Sequence, residues 1–185
     1  MKKLSARIRE RSALLRCWRT EDGVSAVEFA LILPLLIALY LGGVELSHAI
    51  TIDRKVTSMT SSVADLVSQA AVIENAEMQG IFNAVSAIMT PYPEAEARVV
   101  VSSVSVDSNG VARVSWSDGY HKTPRSVGST ITLPQGIAEN NTTIILAEGE
   151  YTYQPQFGSA ITGPLTVSDR FYLRPRVTDS ILRVP

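Results

Sequence analysis

Glu28 occupies a position that calls for a chemical explanation, because it directly precedes a long apolar run. The residues from Phe29 to Val44 read FALILPLLIALYLGGV and carry no formal charge. An unpaired carboxylate near the centre of a membrane helix costs about 2.5–3.5 kcal/mol, and it costs less near the interface. Glu28 therefore either reaches the headgroup level or is neutralised by a partner. Since ionisable residues within membrane segments are functional by default, the sequence favours charge pairing.

Other reactive side chains are sparse along the chain. The only histidines are His48 and His121, and the only cysteine, Cys17, precedes the apolar run. We therefore expect no metal site, no cofactor and no disulfide. No phosphate-binding loop, dinucleotide fingerprint or nucleophile elbow occurs, and Asp107–Gly110 fits a hairpin turn better than a calcium loop. The sequence predicts a protein that is not an enzyme; a membrane-tethered hydrolase with a dispersed active site is the rival interpretation.

The apolar run is long enough to cross a bilayer. Residues 24–46 as a helix would span roughly 35 Å, against a hydrocarbon core of about 30 Å. Residues 1–23 hold seven Lys or Arg side chains and three acids, so this basic leader is predicted to stay in the cytoplasm while the chain after the span lies across the membrane. A secretory signal is the nearest alternative, but its apolar core is usually only about 7–15 residues long.

The junction around Glu28 resembles a known processing site. Residues 23–29 read GVSAVEF, which is similar to the site in type IV prepilins where a membrane aspartyl peptidase cuts after the glycine. The resemblance implies cleavage between Gly23 and Val24, with Glu28 and Phe29 as recognition and subunit-pairing residues. The freed amine would then pair with Glu28 of a neighbouring subunit and remove the desolvation cost of both charges.

A longer resemblance covers the span itself. The stretch AVEFALILPLLIALYLGGVEL, residues 26–46, is similar to the TadE/TadG-like family of tight-adherence (Flp) pilus assembly proteins, and residues 54–69 extend the likeness. The family implies a minor pilin (pseudopilin) or assembly subunit. TadG-like members keep their anchor, so an uncleaved, membrane-anchored assembly protein is the alternative.

The same resemblance implies partners and a location. The expected partners are the prepilin peptidase, other pilin and pseudopilin subunits, the inner-membrane assembly platform and membrane lipid. Nucleic acid is not expected, since the net charge is only −1. The expected location is the bacterial inner membrane, single-pass, with a cytoplasmic N-terminus and a periplasmic C-terminal domain; incorporation into the extracellular pilus stays open.

Pro34 lies inside the predicted span. Proline removes one backbone hydrogen bond and predicts a helix kink, which the neighbours of a membrane helix can accommodate. A bend used in packing and simple tolerance of the residue stay equally open.

Two helices are predicted after the span, in a stalk covering residues 47–93. Apolar residues recur at intervals of three and four, which indicates an amphipathic helix packing on the chain's own sheet or, less favoured, a coiled-coil seam. These residues are Ile52, Val56, Met59, Val63, Leu66, Ala70 and Ile73. A second periodic stretch begins near Asn75, a candidate cap, and ends before Pro91 and Pro93. Its apolar residues are Met78, Ile81, Phe82, Val85, Ile88 and Met89.

A β-rich region is predicted from residue 94 to 185. Residues 98–107 and 111–116 alternate on either side of Ser108-Asn109-Gly110, which indicates a hairpin. Further strands are predicted at 129–133, 143–148, 150–154 and 165–173, with the aromatic residues Trp116, Tyr151, Tyr153, Phe171 and Tyr172 in the core or rim. The predicted fold class is α+β: one transmembrane helix extended into an amphipathic helix that packs on a small antiparallel, pilin-like sheet.

Overall fold

A computed structural model of the chain describes residues 21–137, 139–157 and 163–185. It contains two compact units, Met1–Leu46 and Ser47–Pro185, and each is described here by itself. Most of the predicted leader, residues 1–20, lies outside the described residues. The α+β fold class predicted from the sequence is confirmed.

Helix α1 runs from Glu21 to Ser68 and contains Pro34. Within the first unit, the helix is assigned without interruption through Pro34, whose missing N–H leaves the carbonyl of Ala30 without its usual helical donor. The kink predicted at Pro34 stays a prediction. The described side chains of this unit, residues 23–46, are exposed or half-buried throughout, as expected for a segment whose natural solvent is hydrocarbon.

In the second unit, the remainder of α1 packs on the chain's own sheet, as the sequence favoured. Five of its side chains, namely Ile52, Val56, Met59, Val63 and Val67, belong to a core that also contains Val99, Val101, Ile145 and Tyr151. Leu66 was predicted to be buried but is 42% exposed, whereas the polar residues Thr60 and Ser68 are fully buried. The reason is that a straight helix drifts by about 20° per heptad from a 3.5-residue repeat. The buried stripe therefore moves from Leu66 to Val67.

Helix α2 spans Asn75–Met89 and buries Met78, Ile81, Phe82, Val85 and Met89, which confirms the predicted periodicity. The predicted cap was wrong: Glu74 holds the N-cap position, and Asn75 is the first helical residue. The other end of α2 is satisfied from α1, because Lys55 Nζ donates to the carbonyls of Ile88 at 2.6 Å and Thr90 at 2.8 Å. This contact fixes α2 against α1.

A four-stranded antiparallel sheet follows a short 3-10 helix, Glu94–Glu96. Its strands are β2 (Ala97–Val106), β3 (Ala112–Tyr120), β4 (Thr143–Tyr153) and β5 (Leu165–Leu173), in the order β3-β2-β4-β5. The predicted hairpin is confirmed as β2 and β3, joined by a turn in which Asp107 Oδ1 accepts the backbone N–H groups of Asn109 and Val111.

The strand predicted at residues 129–133 is not a strand. Thr130 forms only an isolated bridge to Arg113, while Ile131 and Leu133 pack on a second core on the sheet face opposite α1. That core contains Val104, Val106, Ala112, Ile144 and Leu146. Apolar residues at the end of this segment thus cover the sheet instead of extending it.

Gly149 lies inside β4, where the sequence predicted a break between two strands. The sequence suggested two strands separated at Gly149, but β4 is continuous through it and pairs with both β2 and β5. A Cβ at this position would overlap the Thr60 hydroxyl and lie 3.1 Å from Met59 Cε. Glycine is therefore required by the close approach of α1 to the sheet rather than by a turn.

A two-stranded parallel sheet closes the fold. Strand β1 (Val72–Ile73) pairs with β6 (Leu182–Arg183) near the C-terminus. Arg183 Nε donates to Asp118 Oδ2 at 2.8 Å, and its guanidinium also donates to Asn75 Oδ1 at 2.5 Å. Trp116 Nε1 donates to the carbonyl of Ile181 at 2.8 Å. The last residues thus connect α2 and β3.

We predict that Gly149→Ala lowers the free energy of unfolding by about 1–3 kcal/mol, because the added methyl group must displace the buried Thr60 hydroxyl, which donates to the Val56 carbonyl. Thermal unfolding of the full chain in detergent, followed by near-ultraviolet circular dichroism, measures the effect. Gly80→Ala is the matched control, since a Cβ there meets nothing within 4 Å; it should be neutral or stabilising. Equal stability of the two variants would contradict the close approach.

Candidate functional site

The predicted scissile bond lies within α1, because Gly23 and Val24 are both helical residues. Glycine costs about 1 kcal/mol relative to alanine in a helix. Gly23 therefore lowers the cost of opening the helix locally to present an extended bond between Gly23 and Val24. Cleavage at this bond stays a prediction.

Glu28 and Phe29 lie one turn further along α1, and both side chains are exposed. Phe29 is 58% exposed, comparable with Val24 and Val27, which precede Glu28. Within the parts of the chain that the structure describes, no group forms a hydrogen bond or ion pair with the side-chain carboxylate of Glu28. Because the side chain is exposed, a partner molecule can reach the carboxylate.

The span that follows offers an uninterrupted apolar surface. Among the described residues, α1 is the only helix that is long and apolar enough to cross a membrane. None of the residues in its most apolar stretch of 18 is buried. Leu31, Leu35 and Leu39 are each more than 60% exposed. In water this surface would be strongly unfavourable, so lipid or other apolar helices must cover it.

Architecture and site together define a class: a single apolar N-terminal helix, with an acid at its start, joined to an α+β domain, as in pilin-like membrane proteins. Residues 23–65 match the family model described as TadE-like protein. This match confirms the family resemblance found in the sequence and supports a protein associated with the tight-adherence pilus. Searches of curated proteins and of solved structures gave no match.

The matched segment has a structural meaning. It begins at the predicted cleavage glycine and ends at Asp65, so it contains the whole span and most of the α1 stripe that is buried against the sheet. It contains none of the strands. The likeness therefore lies in the apolar helix and in the face of α1 that packs on the sheet.

An ion-pair network on the outer sheet face was not predicted from the sequence. Glu148 accepts from Arg125 at 2.6 Å and Arg170 at 3.2 Å, and its side chain is 14% exposed. Its neighbour on the same face of β4, Glu150, is paired with Arg98 and Lys122. The alternation of Glu148, Gly149 and Glu150 in a strand would have signalled that both acids share one face. Their basic partners come from distant strands and loops, which no local pattern reveals.

The electrostatics of Glu150 follow from this network. Lys122 Nζ donates to Glu150 Oε2 at 2.5 Å, and this hydrogen bond, with the charges of Lys122 and Arg98, holds the pKa of Glu150 below its ordinary value of 4.5 despite burial. The ammonium stabilises the ionised carboxylate, so the pair joins the segment after β3 to β4.

The aromatic residues lie in the core or at its rim, as predicted. Trp116 and Tyr151 are buried, while Tyr153, Phe171 and Tyr172 are half-buried. Burial is also the main cause of the raised pKa of Tyr151. No group of three or more His, Cys, Asp or Glu side chains suited to a metal ion occurs in residues 21–137, 139–157 or 163–185.

We predict that acid weakens the fold partly through Glu150. Because its pKa is lower in the folded state, the pair contributes its full stability above the ordinary value of 4.5 and loses it as the pH falls through the lowered pKa. Lys122→Gln should therefore show a smaller loss of melting temperature between pH 6 and pH 3 (about one pH unit or more on either side of that value), measured on the full chain in detergent.

The control for this experiment is Arg54→Gln, which removes an exposed cation for which the described residues supply no ion pair. Its pH dependence should match that of the wild-type chain. If Lys122→Gln also retains the full wild-type acid sensitivity, the pair with Glu150 does not contribute to stability.

Proposed function

We propose that this chain is a TadE-like minor pilin, or pseudopilin, that helps to build or initiate a tight-adherence pilus. The observation that carries the proposal is Glu28: an exposed carboxylate without a partner among the described residues, at the start of an exposed apolar span within the TadE-like segment. A carboxylate so placed is costly in lipid unless a cation joins it. Assembly with another subunit supplies that cation.

The proposed mechanism begins with cleavage by a prepilin peptidase. Hydrolysis of the bond between Gly23 and Val24 removes the basic leader and leaves Val24 with a free α-amino group. This amine is protonated near neutral pH, since its ordinary pKa is about 7.7–8.0. When two spans pack side by side, the ammonium of one subunit lies against the Glu28 carboxylate of its neighbour, and neither charge remains unpaired in hydrocarbon.

The rest of the span and the second unit offer surfaces for contact with other molecules. The span supplies apolar side chains for contact with other helices and with lipid, while the second unit supplies a folded domain with two cores. We propose that the chain is inserted in the inner membrane with its leader in the cytoplasm and its domain in the periplasm, in accordance with the seven cations of residues 1–23. In this role the protein is not an enzyme and acts through protein contacts.

We predict that Glu28→Gln leaves membrane insertion unchanged but reduces pilus assembly by at least about tenfold, because a neutral amide loses the charge-assisted contact with the partner's ammonium, worth about 1.5–3 kcal/mol. Counting surface pili by electron microscopy, with protein levels in the membrane fraction measured in parallel, tests the effect. Glu28→Asp keeps the charge and should retain more assembly than Glu28→Gln.

The matched control is Leu31→Ala, which lies in the same span and is 76% exposed. It removes apolar area without changing charge, so it should assemble nearly as well as wild type. Normal piliation in Glu28→Gln would remove the proposed role of this carboxylate.

A further inference from the structure

The two edges of the four-stranded sheet differ in their protection. The β3 edge is covered by the following segment: Val114 N–H donates to the Ser129 carbonyl, and Ile131 N–H donates to the Ala112 carbonyl. The opposite edge, the outer side of β5, has no such cover among the described residues. Throughout residues 21–137, 139–157 and 163–185, no backbone group outside β4 bonds to the backbone of β5.

The direction of the β5 backbone groups can be deduced from the pairing. Val106 N–H donates to the carbonyl of Thr142, the residue directly opposite it. In an antiparallel pair such hydrogen-bonded residues alternate with non-bonded ones, so the backbone groups of the even-numbered residues of β2 and β4 bond to each other. The backbone groups of the odd-numbered residues of β4 therefore face β5, where they bond to odd-numbered residues. The even-numbered residues of β5 must therefore point their N–H and C=O groups outward. These residues are Thr166, Ser168, Arg170 and Tyr172.

Proteins usually protect a long edge strand with charges, proline or a bulge. β5 contains no proline, pairs with β4 in unbroken register over nine residues, and has Asp169 and Arg170 as its only charges. Both charges are engaged within the chain: Asp169 Oδ2 accepts from the Thr57 hydroxyl at 2.7 Å, and Arg170 pairs with Glu148. One outward amide, that of Arg170, is capped by Asp169 Oδ1 at 2.8 Å. The other outward groups are left without backbone partners.

We propose that β5 is a docking edge to which an extended segment of another pilus component adds as a fifth strand. Unpaired backbone N–H and C=O groups at regular spacing recognise an extended polypeptide. On the α1 side of the sheet, the half-buried Val167 and Phe171 would contact apolar residues of the added strand. On the outer side, the Arg170 side chain is 65% exposed even while paired with Glu148, and its positive charge favours an acidic residue opposite it.

A second copy of this chain fits the edge less well. Two β5 strands related by a twofold axis keep the same faces together, so residues of equal parity are opposed. The register that pairs the whole strand sets Asp169 against Asp169, and like charges directly opposite each other are destabilising. Of the two registers shifted by one residue pair, one sets Arg170 against Arg170 and the other sets Ser168 against Ser168 without opposing like charges. A second copy therefore cannot pair along the whole edge without the Asp169–Asp169 contact, whereas a different polypeptide can. The edge is assigned to a different polypeptide, and its identity as a pilus component rests on the proposed function.

Hydrogen–deuterium exchange of the full chain tests this assignment. The chain is compared in membranes from cells that carry the whole pilus system and as purified protein in detergent, with mass spectrometric readout of β5. The outward amides of Thr166, Ser168 and Tyr172 should exchange at least about tenfold more slowly in the membranes, whereas β3 should be unchanged. Equal exchange of β5 in both samples would overturn the proposal.

Variants at Ser168 separate strand addition from general contact. Ser168→Pro removes an outward N–H, and an edge strand tolerates proline where its N–H faces solvent; the membrane-dependent protection should be lost. Ser168→Ala keeps the N–H and should keep the protection. Loss in both variants, or in neither, contradicts backbone pairing at this edge.

Two further outcomes are informative. Protection of β5 in the purified protein that rises with concentration, together with dimers, would assign the edge to a second copy and overturn the partner proposed here. If Glu28→Gln assembles pili normally while β5 stays protected in membranes, the proposed function is contradicted but strand addition at β5 is supported. Failure of the two proposals can thus be told apart.

Discussion

A carboxylate at the start of an apolar helix is the constraint on which the proposed function depends. Glu28 is exposed and precedes a span that buries none of its most apolar surface within the chain. Its environment must therefore be completed by other molecules. A span without this acid would be satisfied by lipid alone, but a charge in that setting calls for an opposite charge. In the proposed function, the freed amine of a neighbouring subunit supplies that opposite charge.

In the second unit, the apolar side chains of α1 are covered by the chain itself. Beyond the span, α1 presents Ile52, Val56, Met59 and Val63 to the sheet, and the chain supplies its own apolar cover. Gly149 lets α1 approach β4, and Thr57 contacts Asp169 of β5. Because the family match runs from residue 23 to Asp65, the matched segment includes both the exposed apolar span and most of the α1 residues that are buried against the sheet. The rest of the domain, including the open β5 edge, lies beyond the matched segment.

The fold was predictable from the sequence where the pattern is local. The β2–β3 hairpin follows from alternation around Ser108-Asn109-Gly110, and the buried face of α2 follows from its helical period. The predictions were wrong where contacts with residues distant in the sequence determine the local structure. The sequence predicts a break at Gly149 because the contact of this residue with Thr60 is not visible in the sequence. It predicts a strand at residues 129–133 because the apolar side chains that cover a second core there also fit the pattern of a strand. The candidate site was found from Glu28 and its neighbours, whereas the network at Glu148 and the open β5 edge required the three-dimensional pairing.

The N-terminus of the protein in the cell tests the central claim most directly. Intact-mass and N-terminal peptide mass spectrometry of the chain, isolated from cells with an active prepilin peptidase, should show a free amine on Val24 and no residues 1–23. Cells without the peptidase should retain the leader. An intact Met1 terminus in the presence of the active peptidase would contradict the account, because no freed amine would exist to pair with Glu28, and would instead favour the anchored, TadG-like alternative.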